Sequence, residues 1–268
     1  MLTRTSRVMR AELIKLFRLR LFYFGLVAIA IASLIIGVGC WVALRQYQFE
    51  GNGYSILAIT VKIGTQMGTF FIVALGALCF SGEMNQRTMN LMLAHPVRRI
   101  EVFIGKTLVL FVAVIMINTA VWAVALVSGW LNVGYGDIVI NGYVVLDCPQ
   151  IARSLALGFV LLMPPLIAFL SIGLFISNVV ENAGAAVTVG VLLLLFFELS
   201  PLIPGVGRLS IYFPSEQVGT AIDFITKTAG GEVVSLSGVG RLVGSSACYT
   251  VVLLVPSAII FWRRDYAL

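Results

Sequence analysis

The chain has 268 residues, of which 60% are hydrophobic and only 11% charged, and its mean hydropathy is +1.03. Such a composition excludes a soluble globular domain and indicates a polytopic membrane protein. The net charge of +6 and pI near 9.4 do not point to nucleic acid, because the basic residues cluster beside apolar runs, where anionic lipid and topology account for them.

Residues 1–20 place Arg4, Arg7, Lys15 and Arg18 on one side of a helical wheel and Leu2, Met9, Leu13 and Leu16 on the other. This segregation predicts an amphipathic helix in the membrane interface, with its basic side toward headgroups and water. The apolar run that follows is too long for the core of a signal peptide and lacks a small-residue cleavage site, so it stays as a span. Residues 21–44, uncharged between Arg20 and Arg45, form the first predicted span, and residues 63–82, between Lys62 and Glu83, the second.

Residues 81–106, SGEMNQRTMNLMLAHPVRRIEVFIGK, form the long polar interruption with the densest charge. Residues 81–94 can wind as a helix that puts Glu83, Arg87 and Asn90 on one face with Gln86 at its edge, and Met84, Thr88, Leu91 and Met92 opposite. Pro96 ends that helix, since it offers no backbone N–H and drives His95 out of the α region. The predicted order is helix, break, helix: a hinge at which a membrane protein meets a cytosolic partner.

The third span lies within residues 107–136 and ends near Trp130; Asn118 at its middle can bond a neighbouring helix or meet a substrate. After a loop with Asp137, Asp147, Cys148 and Pro149, residues 154–180 make the fourth span, which Pro164 and Pro165 should kink. A tight turn at residues 177–182 leads to the fifth, residues 183–199, which opens with the small residues Ala183, Ala186 and Gly190. Glu198, near its far interface, fits either a hydrogen-bonded structural role or a place on a transport route. Pro201, Pro204 and Pro214 break the stretch up to residue 241 into short helices that dip without spanning, and residues 242–262 are the sixth span. Twelve of the 18 Lys and Arg fall on the side of the termini and residues 81–106, which puts that side in the cytoplasm.

Chemical motifs are absent. Gly105-Lys106-Thr107 looks like the end of a phosphate loop, but the required first glycine would be residue 100, which is Ile100. The single histidine, His95, has no ligand set around it, and Cys40, Cys79, Cys148 and Cys248 form no CxxC pair and read as packing residues. No nucleophile and base combination exists, so no catalytic residue, metal site or cofactor is expected in this chain. The expected fold is an all-α integral membrane protein of six spans with an N-terminal interfacial helix.

The run AELIKLFRLR, then GEMNQRT after the second span, then HPVRR, then GK before the third, resembles the permease subunits of ATP-binding-cassette (ABC) transporters of the type-2 family. Glu83, Thr88, Pro96, Arg98, Arg99, Gly105 and Lys106 carry the resemblance; Arg87 departs from it, where many relatives have glycine before the threonine. The resemblance implies a single permease domain over residues 1–268 in an inner membrane, both termini cytoplasmic, with residues 81–106 as a coupling loop and residues 204–241 as an extracytoplasmic cap. It implies a second permease copy or homologue and separate ATPase subunits, which would bind the ATP and magnesium. By the same resemblance Glu83, Gln86, Arg87, Asn90, Pro96, Arg98 and Arg99 would touch the ATPase, with the turn at 177–182 as a smaller contact. The first and fifth spans would face the partner around the route, leaving Glu198 and Asn118 as candidates to line it. The implied function is ATP-driven export of a hydrophobic or amphipathic compound. The alternatives are a membrane scaffold that docks a cytosolic partner without moving solute, and a self-sufficient channel or secondary transporter.

Overall fold

The computed structural model describes residues 2–46, 52–86, 99–140, 143–232 and 238–263. In chain order these form α1 (Leu2–Arg18), α2 (Arg20–Gln46), α3 (Gly53–Asn85), α4 (Arg99–Asn132), the strands β1 (Ile138–Ile140) and β2 (Tyr143–Leu146), and α5 (Cys148–Val179). Then come α6 (Ala183–Leu199), single 3-10 turns at Ser200–Leu202 and Ser210–Tyr212, α7 (Pro214–Ala229) and α8 (Val239–Arg263). Among the described residues six helices are long and apolar enough to cross a membrane: α2, α3, α4, α5, α6 and α8. Helices suit that role because every backbone polar group is bonded within its own segment.

α3 is the central helix, packed against α2, α4, α5, α6 and α7. Its contact with α5 is backbone to backbone. A Cβ on Gly76 would stand 2.9 Å from the Leu170 carbonyl oxygen, and one on Gly173 only 2.6 Å from that of Val73. α6 closes on the same place, since a Cβ on Gly190 would lie 2.9 Å from a methyl of Val73. Small residues of this kind let spans approach until dispersion contacts between backbones replace the hydrophobic drive that lipid cannot supply. α5 runs through Pro164 and Pro165 without interruption.

The elements differ from the sequence expectation in informative ways. α3 begins at Gly53, ten residues before the predicted start, so Lys62 lies inside the helix instead of marking its edge. Its first turn is fixed by Asn52, whose side-chain oxygen accepts from the Ser55 N–H at 2.8 Å while its amide donates to the Ala229 carbonyl at 3.1 Å. The other end runs on through Glu83 to Asn85, so residues 81–85 are the last turns of the second span and not the start of a separate helix. The remainder of the predicted 81–94 helix, with its break at Pro96, lies outside the described residues. The hairpin of β1 and β2, with Val139 opposite Val144, had no counterpart in the sequence reading.

Within residues 204–241 the structure forms α7, which starts with Pro214 at its first turn and stops at Gly230. Val218, Ala221, Ile222 and Ile225 bury its apolar face against α3 and α5. α1 also spends much of its apolar side on protein: Leu16 is buried and Met9 and Leu13 pack on the core, while Ile14 and Phe17 are exposed.

The glycine crossing predicts a clear asymmetry between substitutions. Gly173→Leu should lower the thermal unfolding midpoint in detergent through a loss of ~1–3 kcal/mol or more, because backbone cannot yield to the new side chain. Gly244→Ala, in α8 with open space around its Cβ, should leave the midpoint unchanged or slightly raised.

Candidate functional site

At the end of the bundle where α1 lies, four charged side chains from three helices meet. Lys106, from α4, donates to Glu83 Oε1 of α3 at 2.8 Å and pairs with Glu12 Oε2 of α1 at 3.0 Å. Lys15, one helical turn after Glu12, donates to the same Glu83 oxygen. The Lys106 side chain is 2% exposed and that of Glu83 9%, whereas Lys15 is 52% exposed, so the cluster has a dry floor and a wet rim. Gly105 makes this possible, because a Cβ there would stand 2.8 Å from Val8; without one, α1 sits close enough for Glu12 to reach Lys106.

Beneath the charges the spans are bound together. Phe80, Phe103 and Phe261, from α3, α4 and α8, form a ring trio with centroids 4.9 to 5.9 Å apart, and the Lys106 ammonium lies 5.9 Å from the Phe80 ring centroid. From α5, the Ser177 hydroxyl accepts from the backbone N–H groups of Phe80 and Ser81 at 2.8 and 2.9 Å. The Asn178 amide donates to Ser257 of α8 at 2.6 Å, and Arg99 donates to the Trp262 carbonyl at 3.2 Å. Helices α1, α3, α4, α5 and α8 are therefore joined to one another within about two turns of Gln86, which caps α3, and of Arg99, which opens α4.

The sequence-predicted contact residues separate accordingly. Glu83 turns inward and is occupied by two lysines, in contrast to the exposed polar face expected for it. Its charge does not end the span because its partners are close. Gln86 is exposed at the α3 C-cap, and Arg99 opens α4. Arg87, Asn90, Pro96 and Arg98 lie outside the described residues, as does His95. The turn expected at 177–182 is shorter, since α5 continues to Val179 and buries Ser177 and Asn178, and only residues 180–182 connect it to α6, which Asn182 caps by accepting from the Ala185 N–H at 3.1 Å. Sequence reasoning missed Lys15 and Lys106 as partners of Glu83, and Glu12 as the second partner of Lys106. The usable signal was an acid at the end of one span and a lysine at the start of the next, opposite an i, i+3 Glu/Lys pair on the amphipathic helix.

The two candidates for a route sit elsewhere. Asn118 is buried between α4 and α5 and donates to the Phe159 carbonyl at 3.4 Å, a helix-to-helix contact. Glu198, in the last turn of α6, accepts from Gln66 of α3 at 3.4 Å. It borders a polar cavity of about 200 Å³ with Lys62, Thr69, Ser215, Glu216 and Asp223, between α3, α6 and α7 at the end opposite α1. Among the described residues no three His, Cys, Asp or Glu side chains converge as metal ligands would.

Residues 8–198 match the family model described as ABC-2 family transporter protein. No curated protein matches the chain.

Removing one member of the charge cluster should be worse than removing a pair. Lys106→Met leaves Glu12 without its lysine and Glu83 with Lys15 alone in a mostly dry site, and should cost ~3–5 kcal/mol in detergent unfolding. The Glu83→Gln/Lys106→Met double variant should recover part of that loss, and strictly additive losses in the cycle would show that the two side chains are not coupled.

Proposed function

The chain belongs to the ABC-2 family of transporter membrane proteins, and from that premise we propose that it forms the membrane pathway of an ATP-driven exporter of a hydrophobic or amphipathic compound. As a permease subunit it would pair with a second permease copy or homologue, and separate ATPase subunits would bind ATP and magnesium. The observation that carries the proposal is that α1, α3, α4, α5 and α8 are bonded together within about two turns of Gln86 and Arg99, the residues that bound the 87–98 connection. An ATPase seated against that connection would touch Gln86, Arg87, Asn90, Pro96, Arg98 and Arg99. Glu83, turned inward, would carry load between helices. Nucleotide-driven approach of the two ATPases would then move already joined spans as units, which is how a small displacement becomes a change of the open side.

In this arrangement the chain lies in the inner membrane with both termini and residues 87–98 in the cytoplasm, and the hairpin and α7 on the other side. The excess of Lys and Arg on the side of the termini supports that orientation. Glu198, beside Gln66 in the polar cavity, would border the outward half of the route.

Two measurements test the reading. In proteoliposomes holding the complex with its ATPase, Arg87→Ala/Arg98→Ala should cut ATP-dependent export at least about tenfold at unchanged membrane content, about 1.4 kcal/mol of coupling. Export undiminished by the pair would remove the coupling contact, and ATP turnover without any flux in the wild type would favour the scaffold. Separately, a membrane-impermeant maleimide should label the exposed Cys148 from the outer face, and Cys148→Ser should abolish that signal. Labelling of Cys148 only after the inner face is opened would invert the topology.

A further inference from the structure

α1 and α2 are joined by an elbow at Leu19, and the elbow does not close fully on the spans beneath it. Between it and α3 and α4 lies a cavity of about 360 Å³, within the range of small-ligand pockets. Its walls are chemically graded. One end holds Glu12, Lys15, Glu83 and Lys106; the other is lined by Leu75, Leu78, Val109 and Leu110. From Glu83 to Leu75 along α3 is roughly 12 Å at 1.5 Å per residue, close to one leaflet's share of a ~30 Å hydrocarbon core. The polar end points toward the membrane surface and the apolar end toward the bilayer centre, because α3 itself crosses the membrane.

We infer that this cavity is a binding site for one acyl chain of an anionic phospholipid, whose phosphate lies at the elbow. The gradient matches a lipid in the orientation it already has in the leaflet. Charge selects the headgroup. The floor of the cavity is balanced, with Glu12 and Glu83 against Lys15 and Lys106, so it asks for no further ion. Leu19, which lines the cavity at the elbow, is flanked in the chain by the exposed Arg18 and Arg20, and these two cations, beyond the balanced four, favour an anionic headgroup. Gly82 helps keep the slot open, since it borders the cavity and a Cβ there would meet nothing within 4 Å. A chain in the slot would also shield the buried Lys106 from water on its one open side. The inference stands independently of what is exported.

Gly82 allows the slot to be filled without touching any charged partner. The full-length protein is purified in mild detergent, incubated with equimolar phosphatidylglycerol and phosphatidylcholine, and examined by native mass spectrometry. One phosphatidylglycerol per chain should be retained, with at least about fivefold preference over phosphatidylcholine. Gly82→Leu should lower retention at least about fivefold with an unchanged unfolding midpoint, and Leu110→Phe, which narrows the slot from α4, should do the same. Cys79 lines the cavity and gives a second readout: with Cys40, Cys148 and Cys248 replaced by Ser, its alkylation should slow when phosphatidylglycerol is added, and Gly82→Leu should abolish that lipid dependence. Equal retention in wild type and both filled variants would overturn the site, and equal retention of the two lipids by the wild type would overturn the assignment of an anionic headgroup.

Discussion

A lysine ammonium held between two carboxylates, with almost no water, is the constraint on which the α1 end of this protein depends. Each of these ions alone would be costly to bury, and the cost falls only when all are present in one geometry. Glu83 and Lys106 lie on neighbouring spans, but Glu12 and Lys15 come from α1, so the cluster is complete only when α1 is docked. An amphipathic helix held by lipid alone could slide or lift. Here it is fixed in position by ion pairs at Lys106 and by the approach of Val8 to Gly105. Stability and function are linked at this point, because the same side chains that make the end rigid also make α1 part of the α3–α4 unit.

α3 connects that end to the remainder of the bundle. The Ser177 hydroxyl meets its backbone at Phe80 and Ser81, and the glycine crossing at Gly76 and Gly173 lies one to two turns deeper. These contacts are short and backbone-based, so they resist shear better than a layer of leucines whose rotamers can adjust. Spans α3 and α5 therefore form one body. α2, α6 and α8, which expose many apolar side chains, are held on fewer faces.

The spans were legible in the sequence because the bilayer imposes one rule on them: about twenty apolar residues without unpaired charge. Where a charge is paired, the rule misplaces the boundary. Lys62 and Glu83 were read as edges of the second span, yet both are inside α3, one beside a polar cavity and the other in the ion cluster. The identity of Glu83 as a site residue was legible, but its direction was not. A helical wheel assigns it to a polar face, while its partners are 68 and 23 positions away in sequence. α7 was foreseen only as short non-spanning helix, since its buried stripe of Val218, Ala221, Ile222 and Ile225 has meaning only once α3 and α5 are there to receive it. The cavity under the elbow was beyond the sequence altogether, because a void belongs to packing and to no residue.

The two ends of the bundle are held by different physics, and this asymmetry bears on how such a protein could work. At the α1 end, charge-assisted bonds of 2.8 to 3.0 Å, an aromatic trio and backbone N–H groups donating to the Ser177 hydroxyl join the helices beside the cavity under the elbow. At the opposite end α3, α6 and α7 surround a polar cavity where Ser215 ties α7 to the Phe197 carbonyl of α6 at 2.9 Å but α3 reaches α6 through a long bond, 3.4 Å from Gln66 to Glu198. Charge-assisted contacts are about twice as strong as neutral ones, and a bond at that length is weak. A displacement applied between Gln86 and Arg99 would thus meet helices already joined by ion pairs and would be carried along α3 toward the end where its bonding is weaker. The stiff end would receive the motion and the polar cavity would express it, so the rigidity of the ion cluster is what would make opening at the far side of the membrane follow from a push at the near one.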